Sequence, residues 1–110
     1  MDIRGHLDLL LLSVLDDAGP VHGYAVITAL RDRSDGAFDL PEGTVYPALQ
    51  RLERAGLVAS HWDETSARRR RVYRLTDDGR RARAAKKQEW RGIVLGVQAV
   101  IGPMTAGRPA

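Results

Sequence analysis

A chain of 110 residues holds about one domain with one modest core, and a domain of this size gains from a partner surface. It has no cysteine, which excludes a disulfide framework, a thiolate metal site and cysteine chemistry, and which fits a reducing cytoplasm. The formal charge is only +3, yet between Arg68 and Arg91 eleven basic residues stand against three acidic ones, a local balance of +8 that leaves −5 elsewhere. Such asymmetry points to an anionic partner, nucleic acid ahead of membrane, against the plain alternative of a solvated basic face.

The spacing of Leu7, Leu10, Leu11, Val14 and Leu15 predicts a first helix over about His6 to Asp17, stopped by Gly19-Pro20. Leu9 and Leu12 widen its apolar stripe to nearly the whole circumference, so a second subunit is expected to cover the extra side. The run Leu9-Leu10-Leu11-Leu12 is too short to span a bilayer, and no membrane partner or signal peptide is expected. A second helix is predicted from His22 to Arg33, with Tyr24, Ile27, Ala29 and Leu30 inward, before the turn signal Ser34-Asp35-Gly36.

A third helix is predicted over Glu42 to Arg54, with Val45, Ala48, Leu49, Leu52 and Ala55 as its buried stripe. Pro47 is tolerable there only near the first turn, where backbone N–H groups lack intrahelical partners. Gly56 supplies the stop. Leu57 to Asp63 and Arg70 to Leu75 read as paired strands, joined by a turn around Glu64 to Arg69. A final helix should begin near the N-cap Thr76, run about 39 Å at about 1.5 Å per residue, and end at Gly102-Pro103. The expected fold class is mainly α with a small β-hairpin: a winged helix-turn-helix plus a long C-terminal dimerisation helix. The corresponding division is 1–75 for DNA binding, 76–102 for the dimerisation helix and 103–110 for a loose tail.

This layout makes double-stranded DNA the first partner to consider. A major groove admits one helix, and side chains near its N-terminus reach base edges. In the third helix Gln50 can pair with adenine, Arg51 can grip guanine or phosphate, and Thr44 and Tyr46 carry hydroxyls suited to phosphate. For Tyr46 a core position and for Arg51 a nearby acid are the competing readings. Arg68, Arg69 and Arg70 at the hairpin tip can follow phosphates or enter the minor groove. Trp90, Ile93, Val94, Val97, Val100 and Ile101 form an apolar seam that a second copy would cover, with Leu9 and Leu12 adding to the interface.

Enzyme readings are weak. His6, His22 and His61 lack metal-ligand spacing, and no glycine-rich phosphate loop, nucleophile arrangement or cofactor motif stands out. The rival to a DNA-binding regulator is a winged-helix protein-interaction module without sequence-specific DNA binding.

Three ordered motifs sharpen the reading: Gly19 to Tyr24, Glu42 to Leu49, and Arg51 to Leu57, extended by Arg70 to Thr76 and Gly79. Through them the chain resembles the PadR family of transcriptional regulators over about Leu7 to Ile101. With one helix after the hairpin it is similar to the short subgroup. The resemblance implies a homodimer that binds palindromic operator DNA, usually as a repressor, and adds Tyr24 and Pro47 to the DNA-binding set. It also implies that Trp90 matches the tryptophan with which some short members sandwich a planar aromatic small-molecule effector at the dimer centre. Plain packing of Trp90 in the interface is the other reading.

Overall fold

The computed structural model describes residues 6–65 and 69–103. In chain order these form α1 (Leu7–Ala18), β1 (Val21–His22), α2 (Gly23–Arg33), α3 (Glu42–Arg54), β2 (Val58–Asp63), β3 (Arg70–Leu75) and α4 (Asp77–Ile101). The expected turn residue Arg68 and the tail from Met104 lie outside the described residues. The fold is mainly helical with one small antiparallel sheet ordered β1-β3-β2. Helices α2 and α3 make the helix-turn-helix, and the β2–β3 hairpin makes the wing.

The core gathers on α1. Leu7, Leu11, Leu12, Val14 and Leu15 pack against Val26, Ile27 and Leu30 of α2 and Val45, Ala48, Leu49 and Leu52 of α3, and Val58, Tyr73 and Leu75 close it from the sheet. Leu12 is 0% exposed, so its expected place at a dimer interface is corrected: α2, α3 and the sheet surround α1 widely enough to use that side within one chain. Leu9 remains partly exposed. Two further side chains change sides, Tyr24 lying 58% exposed where an inner position was expected, and Ala55 exposed beyond the end of the α3 stripe.

Strand β1 was not expected. Val21 and His22 were read as a connection and a helix start; instead they pair with Tyr73 and Val72, and α2 begins one residue later. Two residues carry no alternation to read, and the strand exists because β3 offers it an open edge. In the hairpin Val58 faces Leu75 and the register continues residue by residue to Asp63 opposite Arg70.

Pro47 is the sixth residue of α3, inside the helix rather than in its first turn. Its missing N–H leaves the carbonyl of Gly43 without the usual partner, and Gly43 is exposed, so water can take that place. At the other end of α3, Gly56 turns the chain at φ 79°, a conformation that costs side-chain-bearing residues, while Leu57 N donates to Leu52 O at 3.0 Å.

The start of α4 is clamped to that same turn. The Thr76 hydroxyl accepts from Gly79 N at 3.0 Å and donates to Gly56 O at 2.7 Å, and Thr76 N donates to Leu57 O at 3.1 Å. Gly79 is buried, and a Cβ there would overlap the Leu57 carbonyl oxygen and sit 2.6 Å from Leu75 Cδ1. Farther along, Arg83 reaches Ser13 at 3.2 Å and Asp16 at 3.5 Å, tying α4 to α1. Gly79 is the one residue of α4 that the described chain buries. No helix among the described residues is long and apolar enough to cross a membrane.

Candidate nucleic-acid interface

Three elements converge on an open cleft of about 570 Å³: the start of α2, the start of α3 and the wing strand β3. Its walls carry Tyr24, Tyr46 and Arg69 to Arg71, with Glu42 as an acidic exception. No side chain caps the first turn of either α2 or α3; in α3 Thr44 N already donates to Pro41 O at 3.0 Å, and both helix starts bring the positive ends of their dipoles to the cleft. This combination suits phosphate oxygens. Gly23 makes the crossing possible, since a Cβ there would overlap Tyr46 Cε1 and lie 3.2 Å from Tyr73 Cε2. Burial, then the nearby Glu42 carboxylate and Tyr24, push the Tyr46 phenol above its ordinary pKa.

Thr44 and Tyr46 are partly exposed, and Pro47 and Gln50 are exposed on α3. Arg51 is exposed too, but its guanidinium is paired with Asp8 of α1, the structural partner that competed with a DNA role. Sequence reading missed that acid because it lies 43 residues away. The structure therefore brings Tyr24, Tyr46, Arg69 and Arg70 to one cleft, and leaves Thr44, Pro47 and Arg51 toward α1.

The arginine run divides by position. Arg70 is exposed opposite Asp63. Arg71 turns inward, donating from Nε to Ser60 Oγ at 2.8 Å, with a terminal nitrogen 3.6 Å from Glu53 Oε2. Ser60 Oγ in turn donates to Glu53 at 2.7 Å. Trp62, 46% exposed, lies under two guanidinium groups, Arg69 at 4.4 Å and Arg71 at 5.0 Å from its ring centroid. The strand alternation and the hairpin register carried this signal, because they place Trp62 directly opposite Arg71.

On the other sheet face His22 Nε2 and Asp63 Oδ2 meet at 3.0 Å across β3. Thr65 donates to Asp63 from its hydroxyl at 2.6 Å and its N–H at 3.0 Å. These bonds, Thr65 first and His22 after it, lower the Asp63 carboxyl to about 2. Among the described residues no three His, Cys, Asp or Glu side chains gather as metal ligands.

Helix α4 presents a second surface. Trp90 is 38% exposed, its ring 4.7 Å from that of His6 and tilted by 59°. Beyond it Ile93, Leu95, Val97, Val100 and Ile101 are exposed, while Val94 is partly covered. Leu9 and Trp90 border a niche of about 70 Å³.

Comparison with known proteins joins these features. The chain is 44% identical over 62 residues to transcriptional regulator Rv3488 of Mycobacterium tuberculosis, covering 56% of this chain and 55% of that protein. Its structure is similar to a PadR family transcriptional regulator from Eggerthella lenta at TM-score 0.79 and 35% identity, covering 92% of this chain and 86% of the other. It is also similar to a transcriptional regulator from Clostridium thermocellum at TM-score 0.77 and 33% identity, covering 90% and 92%. The model of the PadR-like transcriptional regulator family matches residues 11–85, which carry the helix-turn-helix, the wing and the clamped start of α4, and the chain belongs to that family of DNA-binding regulators rather than to an enzyme family.

Proposed function

We propose that the chain is a repressor that grips a palindromic operator as a homodimer in the cytoplasm and releases it when a planar aromatic effector binds. The observation that carries this reading is the division of α4: its first turn is clamped to the α3–β2 junction, while one face of its last three turns leaves Trp90, Ile93, Val97, Val100 and Ile101 exposed, with Val94 beside them partly covered. Such a stripe on one helix is what a twofold partner covers. Two copies joined there would present two α3 helices to half-sites about one turn of DNA apart, roughly 34 Å. Gln50 would read bases, and Tyr24, Tyr46, Arg69 and Arg70 would hold phosphates. Thr44, on the α1 side, and Arg68 would add phosphate contacts, and Arg51 would join only by leaving Asp8. In this scheme residues 1–75 bind DNA and 76–102 dimerise.

The effector would need both copies. The niche beside Trp90 is about 70 Å³ in one protomer, whereas ligand pockets run to about 300 Å³ or more. Two symmetry-related indoles could instead stack on both faces of one planar molecule. A ligand that prefers the dimer arrangement unable to span the half-sites would release DNA.

Duplexes selected from a random pool by the purified protein test the DNA reading, with twofold symmetric sites expected. Arg69→Ala with Arg70→Ala should weaken binding to every sequence and flatten its salt dependence, while Gln50→Ala should alter preference by about 1–3 kcal/mol at one base pair. Selection of no common sequence, or variants that bind like the parent, would contradict it. Planar cationic dyes should quench Trp90 in a Trp62→Phe background and lose affinity in Trp90→Ala; unchanged dye binding would place the site elsewhere.

A further inference from the structure

The DNA-binding reading leaves Trp62 without a role, although it is the most exposed aromatic side chain of the wing. It is one link in a continuous chain of contacts. Glu53 of α3 accepts from Ser60 at 2.7 Å, and Ser60 accepts from Arg71 Nε at 2.8 Å. Arg71 lies 5.0 Å over the Trp62 ring, and Arg69 lies 4.4 Å from the same ring. The chain thus runs from the second half of α3 to the first described cation of the wing tip.

We propose that Trp62 is a positioning residue for DNA binding: its indole holds the Arg69 guanidinium at a fixed place relative to α3, so the wing meets phosphates as a preorganised unit. This rests on the DNA-binding reading above. An arginine at a hairpin tip ordinarily samples many rotamers, and binding must order it. A guanidinium held over a ring makes a non-directional contact through its charge and keeps N–H donors available to a phosphate. Two cations over one ring repel, and the structure offsets each: Glu53 faces Arg71 at 3.6 Å, and Glu64 faces Arg69 at 3.8 Å. The Glu64 pair is exposed on both sides, so phosphate can replace it at little cost. Glu53 lies deeper, on the α3 side, where it holds Arg71 and not the tip.

The test is fluorescence anisotropy with a labelled duplex taken from the selection, across a salt series, on the full chain. The variants are Trp62→Leu, Trp62→Phe, Arg69→Ala and the Trp62→Leu/Arg69→Ala double. Loss of a partly desolvated cation–π contact should weaken binding about three- to tenfold in Trp62→Leu. Trp62→Phe should recover most of that loss, because the phenyl face still attracts the guanidinium. The double variant should bind within about twofold of Arg69→Ala alone, since removing the platform costs nothing once its passenger is gone. Thermal melting of Trp62→Leu should match the parent.

Parental affinity in Trp62→Leu, or losses that add in full in the double variant, would overturn the proposal while leaving DNA binding intact. If Trp62→Leu melts early, the same cycle built with Trp62→Thr, which has no ring and suits a half-exposed strand, decides by additivity. A parent that binds no duplex overturns the DNA-binding reading itself, and Trp62 with it.

Discussion

Gly79→Ala is expected to destabilise the protein severely, though it adds one methyl to a helix. The new Cβ would stand 2.6 Å from Leu75 Cδ1 and 3.0 Å from Leu75 Cγ, and would overlap the Leu57 carbonyl oxygen. Carbon atoms pack best at about 3.5–4.0 Å, so the first turn of α4 must retreat by about 1 Å. Leu75 is buried in the core, and the Leu57 carbonyl is backbone already engaged by Thr76 N at 3.1 Å, so neither yields easily. Retreat stretches that bond and the one from the Thr76 hydroxyl to Gly56 O. Overpacking costs about 1–3 kcal/mol, and the two hydrogen bonds about 1 kcal/mol each. Alanine's better helix propensity returns about 1 kcal/mol. The net loss is about 2–4 kcal/mol, a large part of the roughly 5–15 kcal/mol that holds a domain together. Urea unfolding followed by far-ultraviolet circular dichroism, at one fixed protein concentration, measures it. Gly43→Ala is the control: it lies in the first turn of α3, an added Cβ meets nothing within 4 Å, and stability should hold or rise. A Gly79→Ala protein within about 0.5 kcal/mol of the parent would show that the packing argument is wrong.

Val97→Glu should give a monomer in sedimentation, because it puts a charge on the α4 stripe; a parent that is already monomeric at micromolar concentration contradicts this. Gly23→Ala should lower both DNA affinity and melting temperature, since the added Cβ overlaps the Tyr46 ring and lies 3.2 Å from the buried Tyr73 ring. Unchanged affinity would remove Tyr46 from the interface. The Asp63 carboxyl is held at about 2, below its ordinary 3.8, by Thr65 and then His22. A lowered carboxylate contributes stability that is whole above the unfolded value and is lost as pH falls from about 4 to about 2. Asp63→Asn should flatten the acid-unfolding curve in that window, and a curve that keeps the parent's slope there would refute the assignment.

Much of the fold was legible because local rules govern it. The leucine spacing of α1, the stripe of α3, the Thr76 cap and the Gly56 stop all act within a few residues. What escaped depends on contacts between distant segments. Leucine periodicity shows that α1 is apolar on several sides, but only the placement of α2, α3 and the sheet decides that Leu12 is covered within one chain. Strand β1 is too short to show a period. The Arg51–Asp8 pair joins α3 to α1, and the His22–Asp63 bond needs a third strand that sequence reading did not include. For the candidate site, residue types pointed to α3 and the wing, yet charge alone could not divide the arginines. Arg71 is tied to Ser60 and Glu53 while Arg70 points to the opposite sheet face, because the hairpin register, and not composition, decides what each one meets.

The clamp at Thr76 and Gly79 fixes the start of α4, and Arg83 and Trp90 brace it farther along against α1 and His6, so the helix has the mechanics of a braced lever. At about 1.5 Å per residue, Trp90 stands about 17 Å beyond Gly79 and Ile101 about 33 Å beyond it. A tilt of about 5° at the clamp therefore moves Trp90 by about 1.5 Å and the helix end by about 3 Å. The fulcrum rests on the Leu57 carbonyl, at the root of β2, so the wing and the helix arm share one hinge point. Small residues near the fulcrum thus govern the arm's angle, and the apolar side chains at its far end govern its reach.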